Sequence, residues 1–333
     1  MTGGAVAQHP PARGGYPQSG RWSASALVPL KRGRRVSVVI PARDEAATVG
    51  GIVEAVRRDL VSAVPLIDEV VVIDSDSVDD TYAVALAAGA TVHRAREIRP
   101  DLGTRRGKGE ALWKAQFVTS GDLVVHLDSD LIEWGTHFVT GLLGPLLTTE
   151  SVMLVKAVYD RPLLDASGHE VESGGRVTEL VARPLLALHW PALAGIVQPL
   201  SGEWAIRRSL LEQLSMPVGY GVEIAALVDA ARLGGPEAVA QVDLGRRAHR
   251  HHRHDTLGPM AVQVMAACEA RLEGAGAALR ELVALRQFDR LATGFVPRET
   301  AVDVRERPPA TSIEGYAGAR VGCARHTGSG VSS

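Results

Sequence analysis

Asp128 and Asp130 stand two apart at the end of the apolar run Leu-Val-Val-His-Leu-Asp-Ser-Asp-Leu, residues 123–131. Side chains alternate faces along a strand, so both carboxylates can point into one space past the strand's end. Hard divalent cations such as Mg²⁺ and Mn²⁺ take carboxylate oxygens and complete their shell with water or substrate phosphate. An Asp-rich turn after a buried strand has the same composition, since Asp and Ser are ordinary turn formers. The rest of the chain decides between the two.

A second set of residues suits phosphate. Gly107 and Gly109 flank Lys108 after Arg105 and Arg106. Such a lysine at a helix start combines close backbone approach, a positive helix end and a mobile point charge. The spacing is not that of a P-loop, and a solvated basic loop is the plain alternative. Gly174 and Gly175 before Arg176 and Thr178 form a similar helix entry, a nest of N–H groups beside a guanidinium. Arg247 and His249 open a run that also holds His251, His252 and His254, readable as a metal-binding cluster or as a basic surface.

These groups need a frame. Residues 36–40, Val-Ser-Val-Val-Ile, read as a buried strand closed by Pro41, and Val49, Ile52, Val53 and Val56 mark one face of a helix over 48–60. A strand over 69–73, a helix over 79–88 stopped by Gly89 and a short strand over 90–93 follow. This alternation predicts an α/β fold, Rossmann-like, with a mainly parallel central sheet covered by helices and ligands beyond the C-terminal strand ends. Three polar turns fall at that edge: 41–45, 74–77 and 128–130. Further strands are expected over 152–159 and 238–244. Helices are expected from 177 with a bend at Pro184, from 219–223 to about Leu233, and from 257 to about Leu291.

Segment 1–35 is rich in Gly, Pro, Ser and Arg without periodicity and is expected to lack stable structure, as is the tail over 306–333. Between them lie one α/β domain over 36–255, with halves 36–131 and 132–255, and a helical extension over 256–305. With 333 residues, 46% of them hydrophobic, the chain can bury a sizeable core, and its formal net charge of -2 gives no field that would draw nucleic acid. Lys31, Arg32, Arg34 and Arg35 form a local basic cluster, a solvated entry to the first strand or a polybasic anchor. No apolar run approaches the ~18 residues of a membrane span. Cys268 and Cys323 make no disulfide framework. The expectation is a cytoplasmic protein with no nucleic-acid partner and no integral membrane segment.

Eight stretches carry a resemblance. They are Val-Val-Ile-Pro-Ala-Arg-Asp-Glu (38–45), Val-Ile-Asp-Ser-Asp-Ser (72–77), Arg-Gly-Lys-Gly-Glu-Ala-Leu-Trp (106–113) and Leu-Asp-Ser-Asp-Leu (127–131). Gly-Gly-Arg-Val-Thr-Glu-Leu-Val-Ala-Arg-Pro-Leu-Leu (174–186), Gln-Pro-Leu-Ser-Gly-Glu (198–203), Gly-Tyr-Gly-Val-Glu (219–223) and Arg-Ala-His-Arg (247–250) complete the set. In this order they make residues 36–268 resemble the nucleotide-sugar glycosyltransferases of the GT-A fold and, among these, the glucosyl-3-phosphoglycerate synthase family.

The resemblance implies a retaining hexosyltransferase that uses Mg²⁺ or Mn²⁺ to move glucose from UDP-glucose to the 2-hydroxyl of 3-phosphoglycerate. It assigns Pro41, Ala42, Arg43, Glu45 and Ser75 to the uridine side of the donor. Lys108, Asp128, Ser129 and Arg247 fall to the diphosphate, and Asp130 with His249 to the metal. Gly175, Arg176 and Thr178 would bind phosphoglycerate, with Tyr220 and Glu223 lining the sugar and acceptor pocket. Asp128, Asp130, Leu200 and Glu223 form the implied catalytic set; no carboxylate stands out as a nucleophile, so the implied route is front-face, with the acceptor hydroxyl attacking near the Leu200 carbonyl. Relatives in the family suggest a homodimer. Arg43 and Asp44 depart from the Leu-Asn associated with this family's uridine loop. Two rivals stand beside this reading: a transferase of the same fold for mannose or a lipid phosphate, and a nucleotide-sugar-binding regulator without turnover.

Overall fold

The computed structural model describes residues 19–160, 162–164, 170–173, 175–249, 257–272, 281–291 and 294–316. Residues 1–18, Gly174, the histidines at 251, 252 and 254, and the tail from 317 with Cys323 lie outside the described residues.

The central sheet is built from β1 Val36–Ala42, β2 Glu69–Asp74, β3 Thr91–Arg94 and β4 Leu123–His126, then β5 Leu154–Asp160, β6 Trp204–Arg207 and β7 Val239–Arg246. Their order is β7-β5-β6-β4-β1-β2-β3, parallel throughout except that β6 runs antiparallel between β4 and β5. The chain begins in mid-sheet, runs outward through β2 and β3, then returns to the other side of β1. That reversal opens a crevice at the C-terminal ends of β1 and β4. Alternation along β1 explains its unbroken apolar run: Val38 and Ile40 enter one core, Val39 the other.

Helices cover both faces: α1 Val49–Val56, α2 Thr81–Ala87, α3 Lys108–Ala115, α4 His137–Thr148, α5 Arg183–His189, α6 Val222–Gly234 and α7 Leu257–Glu269. The predicted face of α1, from Val49 to Val56, is the buried one. Pro184 sits at the start of α5, where the wider helical turns over Thr178–Ala182 give way to α-helix.

Two end segments differ from expectation. Order begins well before Val36, in short turns that bury Leu27 and lay Trp22 on Gly144 of α4, where a Cβ would lie 2.2 Å from the indole. Lys31 pairs with Asp68 at 2.7 Å, Arg34 donates to the Leu30 and Lys31 carbonyls, and Arg35 donates to Ser120. The basic cluster thus fastens the entry to β1. At the other end, the helix expected to reach Leu291 stops at Glu269, and β8 Leu282–Leu291 pairs with β9 Gly294–Asp303 as a hairpin. Exposure alternates residue by residue from Leu282 to Phe288, and Arg286 meets Glu299 across the strands at 2.8 Å. Cross-strand pairing of that kind outweighs the helix preference of Ala and Leu. Beyond the hairpin Glu306–Arg307 pairs with Met216–Pro217, and Arg307, Ala310 and Tyr316 are buried, so the tail packs as far as Tyr316.

Candidate active site

The turns after β1, β2 and β4 meet at one edge of the sheet because each strand hands its chain over at the same level. Ser75 N–H donates to the Ala42 carbonyl at 2.9 Å, Glu45 N–H to Thr81 Oγ1 at 2.7 Å, and Thr48 Oγ1 to the Ser129 carbonyl at 2.7 Å. Asp44 takes a left-handed backbone at φ 56°, a conformation Asp tolerates better than most residues, and its Oδ1 accepts from Val78 N–H at 2.8 Å. An aspartate can therefore serve in this loop as an asparagine would.

These turns wall a cavity of about 460 Å³. Pro41, Ala42, Arg43, Glu45 and Ser75 line it on one side, and Lys108, Asp128, Ser129 and Asp130 on another. Tyr220 closes the third. Among the donor-side residues expected from sequence, Arg247 stands behind this wall.

Its charges interlock. Lys108 Nζ lies 2.5 Å from Asp128 Oδ1 and 2.7 Å from Glu223 Oε1. Arg247 Nη2 reaches Asp128 Oδ2 at 2.7 Å, Glu203 Oε1 at 3.0 Å and Asp130 Oδ1 at 3.4 Å. Burial opposes both cations, but the surrounding carboxylates outweigh it and hold Lys108 and Arg247 above the ordinary lysine and arginine ranges. Burial pushes the Glu203 carboxyl up, and Arg247 pulls it back.

The glycines around Lys108 have a packing role that sequence did not reveal. A Cβ on Gly107 would lie 2.1 Å from the Val218 carbonyl oxygen, and one on Gly109 would lie 1.8 Å from that of Pro217. The close approach is to the neighbouring turn, and it brings Lys108 within reach of Glu223. Gly202 plays the same part opposite, where a Cβ would lie 2.2 Å from Asp128 Oδ2. The turn that carries Leu200 therefore lies against the Asp128 carboxylate.

Asp128 and Asp130 put hard, acceptor-only oxygens on the cavity wall, a donor type that fits Mg²⁺ or Mn²⁺. The backbone of His249 pairs with Leu131, one residue past Asp130; its side chain lies outside the described residues. Gly175, Arg176 and Thr178 begin the turn into α5, where Glu179 N–H donates to the Gly175 carbonyl at 2.9 Å and the Arg176 side chain is exposed. They are not among the residues lining the cavity.

Residues 37–186 match the family described as Glycosyl transferase family 2. The glucosyl-3-phosphoglycerate synthase of Mycolicibacterium smegmatis is 44% identical over 294 residues, which covers 88% of this chain and 94% of that one. The chain belongs to the glucosyl-3-phosphoglycerate synthase family. The Mycobacterium tuberculosis synthase in complex with Mn²⁺, UDP-glucose and phosphoglyceric acid matches with a TM-score of 0.76 at 42% identity, over 87% of this chain and 95% of that chain. The same synthase in complex with Mg²⁺ and UDP matches with a TM-score of 0.77 at 43% identity, again over 87% and 95%. The mainly parallel sheet is thus the GT-A-like frame of this synthase family.

Within that frame the sequence reading passed over Gln263 of α7, which lines the cavity and accepts from Tyr220 N–H at 2.9 Å while donating to the Asp303 carbonyl at 2.9 Å. A lone glutamine in an Ala-rich helix carries no signal of this; only the packing of α7 on the Tyr220 turn shows it.

Proposed function

We propose that this member of the synthase family transfers glucose from UDP-glucose to the 2-hydroxyl of 3-phosphoglycerate with retention at the anomeric carbon. The observation that carries this reading is the cluster of Asp128, Asp130, Lys108, Arg247 and Glu223 at the ends of the central strands. Asp130 and His249, with Asp128 beside them, would hold Mg²⁺ or Mn²⁺, which would supply Lewis-acid stabilisation of the leaving diphosphate. Lys108 adds a point charge on the same side, and Arg247 a guanidinium fork behind it. The 41–45 and 74–77 turns flank the uridine. Glu223, fixed by Lys108, is placed to orient sugar hydroxyls beside Tyr220.

Arg176, with the N–H groups near Gly175 and the Thr178 hydroxyl, takes the anionic groups of the acceptor. The 2-hydroxyl oxygen attacks near the Leu200 carbonyl, on the face from which the diphosphate departs; its proton passes to the leaving phosphate oxygen as the glycosidic bond to phosphate breaks. We assign the reaction to the cytoplasm, where nucleotide sugars and phosphoglycerate are made. Among the described residues no helix is long and apolar enough to cross a membrane.

A matrix of nucleotide sugars against acceptors, run with and without Mg²⁺ or Mn²⁺, tests the reading. UDP-glucose with 3-phosphoglycerate should give the highest metal-dependent turnover. Preference for a mannosyl donor, or indifference to 3-phosphoglycerate, would overturn it.

A further inference from the structure

Lys156 lies in the middle of β5, paired in register with Trp204 of β6, and only 1% of it is exposed. A lysine in a central strand has no strand-forming merit, and an isolated buried ammonium is costly. Its Nζ donates to the Ser201 carbonyl at 2.8 Å and lies over the Trp204 ring, 5.8 Å from its centre. The same turn is fastened to β5 at two more points. Tyr159 N–H donates to Gln198 Oε1 at 3.3 Å, and Ala157 N–H donates to the Glu203 carbonyl at 3.2 Å. On its other side the turn meets Asp128 at Gly202.

We propose that Lys156 is a positioning residue for glucosyl transfer: through the Ser201 carbonyl it fixes the 198–203 turn, and with it the Leu200 carbonyl, against Asp128. Burial lowers the Lys156 ammonium to about 7, with Glu223 working to retain the charge and Lys108 against it. As ammonium or as amine, Nζ keeps an N–H for Ser201, so the clamp persists on both sides of that value. A side chain that only filled space here would be apolar. A lysine fits because the Ser201 carbonyl needs a donor that reaches it from the strand behind.

The inference rests on the Leu200 reading above, and the test keeps the two apart. Lys156→Met preserves length and removes the donor. In the full chain, with Mn²⁺, three quantities are measured: UDP affinity by calorimetry, hydrogen exchange over 198–203, and transfer kinetics. Asp128 is held independently by Lys108 and Arg247, so UDP affinity and the KM for UDP-glucose should stay within about threefold of wild type. Exchange in the turn should quicken by about tenfold, as expected for one lost hydrogen bond. The kcat should fall by about 10- to 100-fold. Gln198→Leu, which releases the neighbouring clamp, should repeat the pattern more weakly. Unchanged exchange in Lys156→Met overturns the clamp. Quickened exchange with wild-type kcat overturns the positioning role of Lys156, whereas an inverted anomeric configuration in the wild-type product, read by NMR, overturns the front-face Leu200 reading on its own. A variant that fails to fold, or loses UDP affinity in step with kcat, makes Lys156 part of the scaffold and overturns the assignment as well.

Discussion

On the rim of the cavity, Lys108 is held between Asp128 and Glu223; in the floor behind it, Lys156 has one carbonyl oxygen and the face of an indole. Both ammonium groups oppose burial. On the rim two carboxylates win, and Lys108 stays charged above the ordinary lysine range. In the floor burial wins, and Lys156 is lowered to about 7. The difference teaches that burial alone pushes a lysine toward its neutral form, and that the carboxylates packed beside it decide whether the charge survives.

The largest expected effect breaks the rim. Asp130→Ala should take metal-dependent turnover to background, a loss of at least about 10²- to 10³-fold, while leaving circular dichroism unchanged. The residue lies past the end of β4, on the cavity wall rather than in the core. Near-normal turnover with Mg²⁺ would show that the rim does not hold the metal.

The next effect sharpens the contrast between the two lysines. Lys108→Met should destabilise the fold by roughly 3–5 kcal/mol, because Asp128 and Glu223 lose their shared partner. Lys156→Met should do the reverse near neutrality. The folded pKa of Lys156, about 7, lies below its unfolded value, so between about pH 7 and 10.5 the unfolded state binds more protons. Wild-type stability therefore gains on the variant as pH rises through that window, by up to about 5 kcal/mol. The variant should be more stable at pH 6–7 and lose its advantage by about pH 10.5. Chemical denaturation of both proteins across this range measures it, and parallel curves would refute the buried charge.

The smallest effect lies away from both sites. Arg176→Ala should weaken the use of 3-phosphoglycerate by about 10- to 100-fold, the worth of one hydrogen bond to a charged group, and leave UDP affinity unchanged. Equal losses in donor and acceptor would move Arg176 from the acceptor to the diphosphate.

Much of this was legible beforehand because it is local. Runs of β-branched residues with polar breaks located β1, β2 and β4, and sheet physics placed their following turns at one edge. Asp128, Asp130 and Lys108 stood out as charges beside turn-forming residues. The C-terminal hairpin was missed because Ala and Leu content was weighed above the alternation in Leu282–Leu291, whose meaning depends on a partner strand.

By itself the sequence determined the parallel frame, the edge at which its polar turns gather and the charged residue types available there, since these follow from side-chain period and from what one strand or turn can do alone. Tertiary structure alone decided which charges meet. Lys108 finds Glu223 because Gly107 and Gly109 let two backbones touch, and Arg247 finds Asp128 and Glu203 from more than a hundred residues away in one case. Lys156 passed unmarked in the strand expected over 152–159, and its partner lies 45 positions further on. The physical reason is range: hydrophobic period acts between neighbours in sequence, whereas a buried charge takes its value from whichever groups the packed chain sets within a few ångströms of it.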